Sequence, residues 1–181
     1  MLRLSILIPT LSKRAAMLAR LLRILQPQLS DDVEVLTDLD DGQRSIGAKR
    51  NALLERARGD YIIFPDDDDR VTDDYIAELM DGIGQGVDVV CVNAIHTTDG
   101  HSPKLVIDLP YQEWEETPEA YLRGVQIKDA VKREIAITVK FPDISFGEDS
   151  VWGHAVEATG LVKTWRDARK VTYFHEYIST K

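Results

Sequence analysis

The stretch with the clearest chemical potential is Phe64-Pro65-Asp66-Asp67-Asp68-Asp69, in which four consecutive carboxylates close a short apolar run, Tyr61-Ile62-Ile63-Phe64. That run reads as a buried strand. Unit charges a few ångströms apart repel by roughly 1–4 kcal/mol even in a watery dielectric, so four acids at a strand end need something to offset them. A divalent cation would do so, because hard metals take oxygen ligands. A solvated acidic turn leading into the next helix would also serve, with Asp73 and Asp74 near that helix's N-terminus.

A second acidic feature is Phe146-Gly147-Glu148-Asp149-Ser150-Val151-Trp152, where glycine precedes two carboxylates that open a predicted helix. Either acid could act as a general base if it lines the same cleft as the first run. Otherwise the two acids simply complement the helix dipole. Basic character lies in Ser45-Ile46-Gly47-Ala48-Lys49-Arg50-Asn51. Gly47 at a helix start would let a ligand approach the backbone. Helix N-terminal amides with Lys49 and Arg50 would attract a diphosphate, unless this is a solvated turn balancing nearby acids. His175 follows the predicted strand 171–174 and could complete a metal site or touch a diphosphate. His96 and His101 read as exposed turn residues, and His154 as a helix residue facing core or cleft. Cys91, the only cysteine, lies in the apolar run 87–92 and reads as a small buried hydrophobe.

The elements that would position these groups alternate. Residues 4–8 form an aliphatic run stopped by Pro9-Thr10, suited to a strand covered on both faces. Met17, Leu18, Leu21, Leu22 and Leu25 recur at helical spacing. A second strand at 33–36 leads to the polar loop Asp38-Leu39-Asp40-Asp41-Gly42, and 46–57 is helical in pattern. A third strand at 61–64, a helix at 71–80 and a fourth strand at 87–95 follow. Such alternation predicts βαβ units around a parallel sheet, with ligands outside the carboxyl ends of its strands. Pro9-Thr10, Asp38 to Asp41 and Asp66 to Asp69 all fall there. Beyond residue 95 the alternation fades. We expect a turn at 96–102, a short strand at 104–109, partial helix over 112–123, strands at 136–139 and 170–174, and a helix at 148–158.

The 181 residues suit one domain, and a hydrophobic fraction of 44% is ordinary for a globular chain. A net charge of −9 argues against broad electrostatic binding to nucleic acid or anionic membrane. One cysteine excludes an internal disulfide framework. The N-terminal apolar stretch is too short for a signal peptide and is broken by Pro9, and no segment reaches the ~20 apolar residues of a membrane span. These features predict a soluble, cytoplasmic protein.

Taken in order, the motifs resemble the family-2 inverting glycosyltransferases of the GT-A fold. That family opens with a strand ending in Ile-Pro-Thr, matched by Ile8-Pro9-Thr10, often with an Arg soon after, as Arg14 is here. An acidic strand end follows, matched by Asp38 or by Asp40-Asp41-Gly42, then Gly-x-x-Arg-Asn, seen from Gly47 to Asn51. Ala57-Arg58-Gly59-Asp60-Tyr61-Ile62 runs into the Asp-x-Asp-Asp motif at Asp66 to Asp69, and Glu148-Asp149 with Trp152 match the later Glu-Asp motif. The resemblance runs from Ser5 to about Asp74 and resumes at Glu148, while 95–143 matches nothing assignable. Aligning the Asp38 loop needs a gap. The chain is also short for the family, which implies an acceptor-binding part that is reduced or supplied by a partner.

The resemblance implies an α/β, GT-A-like fold: a mostly parallel Rossmann-type sheet flanked by helices, with a small mixed acceptor-side lobe. It implies one domain over 1–181, with 1–95 holding the nucleotide sugar and 96–181 serving acceptor and base. Pro9, Thr10, Arg14 and an acid of the loop, Asp38 or Asp40, would serve the nucleotide sugar together with Gly47, Lys49, Arg50 and Asp67. Asp66 would contact ribose or metal. Asp68 would bind Mg²⁺ or Mn²⁺ bridging the diphosphate, with His175 as a further ligand. Asp149, or else Glu148, would deprotonate the acceptor hydroxyl. The implied activity is metal-dependent, inverting transfer from a nucleotide-diphospho-sugar. The acceptor stays open among saccharide, lipid-linked saccharide, protein, small molecule and modified nucleic acid. A nucleotidyltransferase is the first rival, but Pro9-Thr10-Leu11-Ser12 lacks the glycine-rich loop it would want after the first strand. A non-catalytic nucleotide-sugar-binding module is the second.

Overall fold

The computed structural model describes residues 3–179; Met1 and Leu2, the head of the N-terminal stretch, and Thr180 and Lys181 lie outside the described residues. The first strand, β1 (Leu4–Leu11), is buried from Leu4 to Thr10. It is followed by α1 (Ala15–Leu25), β2 (Val33–Asp40), α2 (Ile46–Arg56) and β3 (Tyr61–Ile63). β1 lies between β2 and β3 and runs parallel to both, the arrangement that the βαβ alternation predicts. Next come β4 (Arg70–Val71), α3 (Tyr75–Gly84), β5 (Val89–Val90), β6 (Asn93–Thr98), β7 (His101–Asp108), β8 (Glu115–Glu116) and β9 (Ala120–Arg123). The chain continues through β10 (Ala130–Lys132), α4 (Arg133–Ala136), α5 (Glu148–Ala158), β11 (Trp165–Arg166) and β12 (Val171–Tyr177).

Among the described residues the strands form two six-stranded sheets. The first has the order β11-β5-β10-β3-β1-β2 and is mostly parallel, with β10 antiparallel to both its neighbours. The second has the order β4-β12-β6-β7-β9-β8 and is mixed. The fold is therefore α/β as expected. No helix among the described residues is long and apolar enough to cross a membrane.

Side chains alternate across β1, so each face of the first sheet has its own core. Leu4, Ile6 and Ile8 pack with Leu21 and Leu25 of α1 and Leu79 and Ile83 of α3. Leu7 joins Ile62, Phe64, Leu53 of α2 and Trp152 of α5 on the other face. There Trp152 stacks on Phe141 with centroids 4.8 Å apart.

Three elements differ from expectation, each for a local reason. The run 87–95 is two strands in different sheets, not one. At the crossing, the Val92 amide donates to Asp129 Oδ1 (2.8 Å) and Lys128 Nζ donates to the Val92 carbonyl (3.1 Å), so side chains replace the ladder. Residues 112–123 hold β8 and β9 rather than helix; Pro118 opposes a helix interior, and Thr117 closes the turn with bonds to Ala120. Ala136 to Val139 continues the α4 turn, where Ile137 N–H donates to the Arg133 carbonyl, and the strand lies earlier, at β10. The turn expected over 96–102 is confined to the tight tip of the β6–β7 hairpin, where Asp99 and Gly100 both take positive φ (51° and 75°), and His96, expected as an exposed turn residue, is a half-buried residue of β6.

Gly47, expected to admit a ligand, instead admits the chain itself. A Cβ built there would lie 1.9 Å from the Pro142 carbonyl oxygen. Its amide donates to the Ile144 carbonyl (3.1 Å), which pins the segment before α5 to the start of α2. Gly47→Ala should therefore cost about 1–3 kcal/mol, the range for overpacking a close contact. Urea unfolding checks this; wild-type stability in the variant would show that 142–145 moves aside freely.

Candidate active site

The carboxyl ends of β1, β2 and β3 share one edge of the first sheet. Register sets Pro9 beside Asp38 and Leu11 beside Asp40. Thr10 Oγ1 donates to Asp67 Oδ2 (2.5 Å), tying the β1 end to the acidic run after β3. Lys49 Nζ, buried on α2, donates to the Thr10 carbonyl (2.6 Å) and pairs with Asp40. Arg44 pairs with Asp38 and reaches Asp40 at 3.3 Å. The Lys49 ammonium and neighbouring amides hold the Asp40 carboxyl down at about 2.

Burial alternates along the four aspartates: Asp67 and Asp69 are buried, Asp66 and Asp68 half-buried. Asp67 has Thr10 and Arg14 as partners, the latter at 2.6 Å. Asp69 accepts from the Tyr173 hydroxyl (2.5 Å) and meets His175 Nδ1 at 2.9 Å. The same Tyr173 oxygen accepts the Asp66 amide (3.1 Å). Asp68 meets Arg14 at 2.6 Å, and Arg20 donates to its carbonyl.

Arg50 connects this run to α5. It is 2% exposed; its guanidinium donates to Asp66 Oδ1 (2.9 Å) on one side and to Glu148 on the other. Burial raises the Glu148 carboxyl, and Arg50 opposes that rise. Glu148 is thus buried behind α5, while its neighbour Asp149 is half-buried and lines a cavity of about 130 Å³ that Asp66 and Asp69 also line. Arg123, Lys128, His96 and His175 supply cationic and imidazole groups to the same cavity. Lys128 and Arg123 both pair with buried Asp108.

A family model for glycosyl transferase family 2 matches residues 38–132. The chain belongs to glycosyl transferase family 2. No curated protein sequence matches it significantly. Among solved structures, it is similar to the crystal structure of S. aureus TarS 1-349 in complex with UDP, with a TM-score of 0.72 and 14% identity over 97% of this chain and 60% of that one. The corresponding complex with UDP-GlcNAc gives a TM-score of 0.69 at 13% identity, over 99% of this chain and 60% of that one. A further crystal structure of S. aureus TarS gives 0.71 at 14% identity, over 97% of this chain and 37% of that one. The chain thus spans about 60% of the length of the first of these structures. The likeness establishes the GT-A fold.

In this family 2 chain the expected residues divide into those at the cleft and those behind it. Asp66, Asp149 and His175 line one cavity although they come from three distant segments. Pro9, Thr10, Arg14, Asp38, Asp40, Asp67 and Asp68 gather at the adjoining strand ends. Lys49 and Arg50 are buried with internal partners, so they brace the site instead of facing it. The α2 N-terminus is not an open anion site either: Ser45 Oγ caps the Ala48 amide, Ile144 takes the Gly47 amide, and Ser145 takes that of Ile46 (3.3 Å). Sequence reasoning missed Tyr173, Arg44, Arg123 and Lys128. Tyr173 had a signal, since it precedes His175 by two on one strand face.

Among the described residues, no group of three or more His, Cys, Asp and Glu side chains is arranged to hold a metal ion alone. Mg²⁺ is commonly bound by one or two carboxylates plus substrate phosphates, and the oxygen donors of Asp66 and Asp68 fit that pattern. Burial, with the charges of Asp69 and Asp68, raises the Asp66 carboxyl to about 7 against the pull of Arg50. The folded chain then holds a proton that the unfolded chain has released. This stabilising contribution is complete below the ordinary value of 3.8 and is lost as pH rises through about 7. Ligand-free Asp66→Asn cannot ionise there. Its melting temperature should exceed that of wild type at about pH 8, with the gap closing towards about pH 4. A gap independent of pH would overturn this account.

Proposed function

We propose that this chain transfers a sugar from a nucleotide-diphospho-sugar to an acceptor hydroxyl in a single inverting displacement. One observation carries the reading: Asp66, of the acidic run after β3, and Asp149, of the first turn of α5, line the same cleft. Family membership supports the transferase class. UDP-GlcNAc, bound in one TarS structure, is the first donor to test, and UDP, bound in another, is the matching leaving group.

The part up to residue 95 holds the donor, and the remainder holds acceptor and base. Thr10, Asp38 and Asp40 frame the nucleotide end, with Arg14 and Arg44 as the nearby cations. Asp68 and Asp66 would hold Mg²⁺ or Mn²⁺, with His175 as the third candidate ligand. When bound, the ion stabilises charge on the departing diphosphate. Asp149 takes the proton from the acceptor hydroxyl, which attacks the anomeric carbon opposite the leaving group. Glu148, buried and paired with Arg50, serves to seat α5. This assigns the two adjacent acids different roles by environment alone.

Asp149→Asn should lower transfer by about 10²–10⁴-fold, the usual worth of a general base, while leaving donor binding intact. Donor binding is followed by the rise in melting temperature with UDP-GlcNAc and Mn²⁺. Asp68→Asn should abolish the Mn²⁺-dependent part of that rise. Transfer by Asp149→Asn at the wild-type rate would remove the base assignment, and an unchanged Mn²⁺ response in Asp68→Asn would remove the metal assignment. The anomeric proton of the product, read by NMR, should show the configuration opposite to that of the donor.

A further inference from the structure

The second sheet turns one face to the cleft. Register fixes which residues share that face: His175 pairs with His96, His96 with Lys104, Ala94 with Val106, Val106 with Tyr121, and Tyr121 with Glu116. Ala94, His96, Val106, Arg123, Tyr173 and His175 from this face line the cavity. A row of rings crosses it. His175, bonded to Asp69, stacks on His96 (centroids 5.1 Å apart); His96 meets the edge of Tyr121 (6.2 Å); Tyr121 stacks on Trp114 (6.4 Å). Lys104 Nζ sits over the Tyr121 ring at 4.2 Å and bonds Glu116 (2.6 Å), so this ring is held before any ligand arrives. The row ends at Trp114, which is 63% exposed. An exposed tryptophan stacked on a clamped tyrosine loses little freedom on binding, which is how aromatic anchors contribute most.

We propose that this row is the acceptor track and that the acceptor is an uncharged saccharide of more than one ring. The proposal rests on the glycosyl-transfer reading, since it takes the cleft at Asp149 as the reacting end of the track. A sugar ring offers an apolar C–H face to an aromatic and hydroxyls to the polar groups beside it. Here exposed Trp114, backed by Tyr121, provides the face, and His96, Lys104 and Glu116 the flanking polar groups. A lipid tail finds no continuous apolar surface among those groups. A nucleic acid or phosphorylated chain would meet exposed Glu113, Glu115, Glu116 and Glu119 around Trp114, in a chain of net charge −9. Continuity does the rest, because the track runs from solvent at Trp114 to the cavity that Asp66 and Asp149 share.

The test is binding without turnover. The full chain, with UDP and Mn²⁺ present, is titrated with β-1,4-linked gluco- and N-acetylgluco-oligosaccharides of one to four units and followed by ligand-observed NMR. Affinity should rise with length in wild type. Trp114→Ala should weaken the longest probe by about tenfold, the scale of losing one aromatic anchor. Trp165→Ala, an exposed tryptophan on β11 outside the row, should stay within about twofold of wild type. Equal binding by wild type and Trp114→Ala, an equal loss in Trp165→Ala, or no binding of any oligosaccharide by wild type overturns the proposal. UDP binding, read in the same wild-type samples, reports on the donor reading separately. Its failure beside intact, Trp114-dependent saccharide binding removes the nucleotide-sugar assignment and leaves the saccharide track standing.

Discussion

A buried arginine between two carboxylates is the interaction on which the site's geometry rests. Arg50 lies on α2, yet it bonds Asp66 at the end of one strand and Glu148 at the start of a helix 98 residues further on. A charge this deeply buried must be paired, and Glu148, itself buried, is the partner whose loss would cost most, roughly 3–5 kcal/mol. A planar guanidinium can serve two carboxylates from a fixed fork, which a lysine cannot. The separation of the acidic run from the α5 terminus is therefore set by the size of one side chain. Asp149, next to Glu148, inherits that placement.

α2 performs the same service for the other strand ends. Lys49 holds the Thr10 carbonyl and Asp40, so consecutive residues on one helix fix β1, β2, the run after β3 and α5 together. The helix can do this because its N-terminus meets the 141–145 segment so closely. Gly47 leaves room for the Pro142 carbonyl, Ser45 bonds Asp143 (2.5 Å), and Asn51 exchanges two hydrogen bonds with the Phe141 backbone. Every one of these contacts joins residues about half the chain apart. Such non-local pairing costs loop entropy that only a dense set of contacts recovers.

This long range explains what could be read from the sequence. β1 and β3 were legible because they are continuous apolar runs, buried along their length, and α1 because its leucines recur at helical spacing. The clustering of acids at the strands' carboxyl ends followed from the parallel topology. The second sheet was legible only in part: the strands expected at 104–109 and 170–174 overlap β7 and β12, but their pairing into a sheet of their own could not be read. β6 is cut from β5 at Val92 by the side chains of Lys128 and Asp129, which lie 36 and 37 residues further along the chain, and β8 and β9 are too short to show a period. The basic segment was noticed for the right residues and the wrong exposure. Sequence displays Lys49 and Arg50 as free cations; only the fold shows which carboxylates surround them.

The acidic run that stands out in the sequence is also resolved by long-range contacts. Its repulsion is met chiefly by the protein. Thr10 and Arg14 take up Asp67, Tyr173 and His175 take up Asp69, and Arg14 reaches Asp68. The remaining cost concentrates at Asp66, where burial and two like-charged neighbours outweigh one arginine. A group whose proton affinity is raised by its surroundings couples folding stability to whatever neutralises it. Evenly solvated acids would leave no such coupling. By burying alternate members and pairing them, the fold turns four repelling charges into two fixed struts, an Asp68 held by Arg14, and a half-buried Asp66 that lines the cleft. The electrostatic tension of the ligand-free chain therefore lies at the position best placed to exchange it for binding.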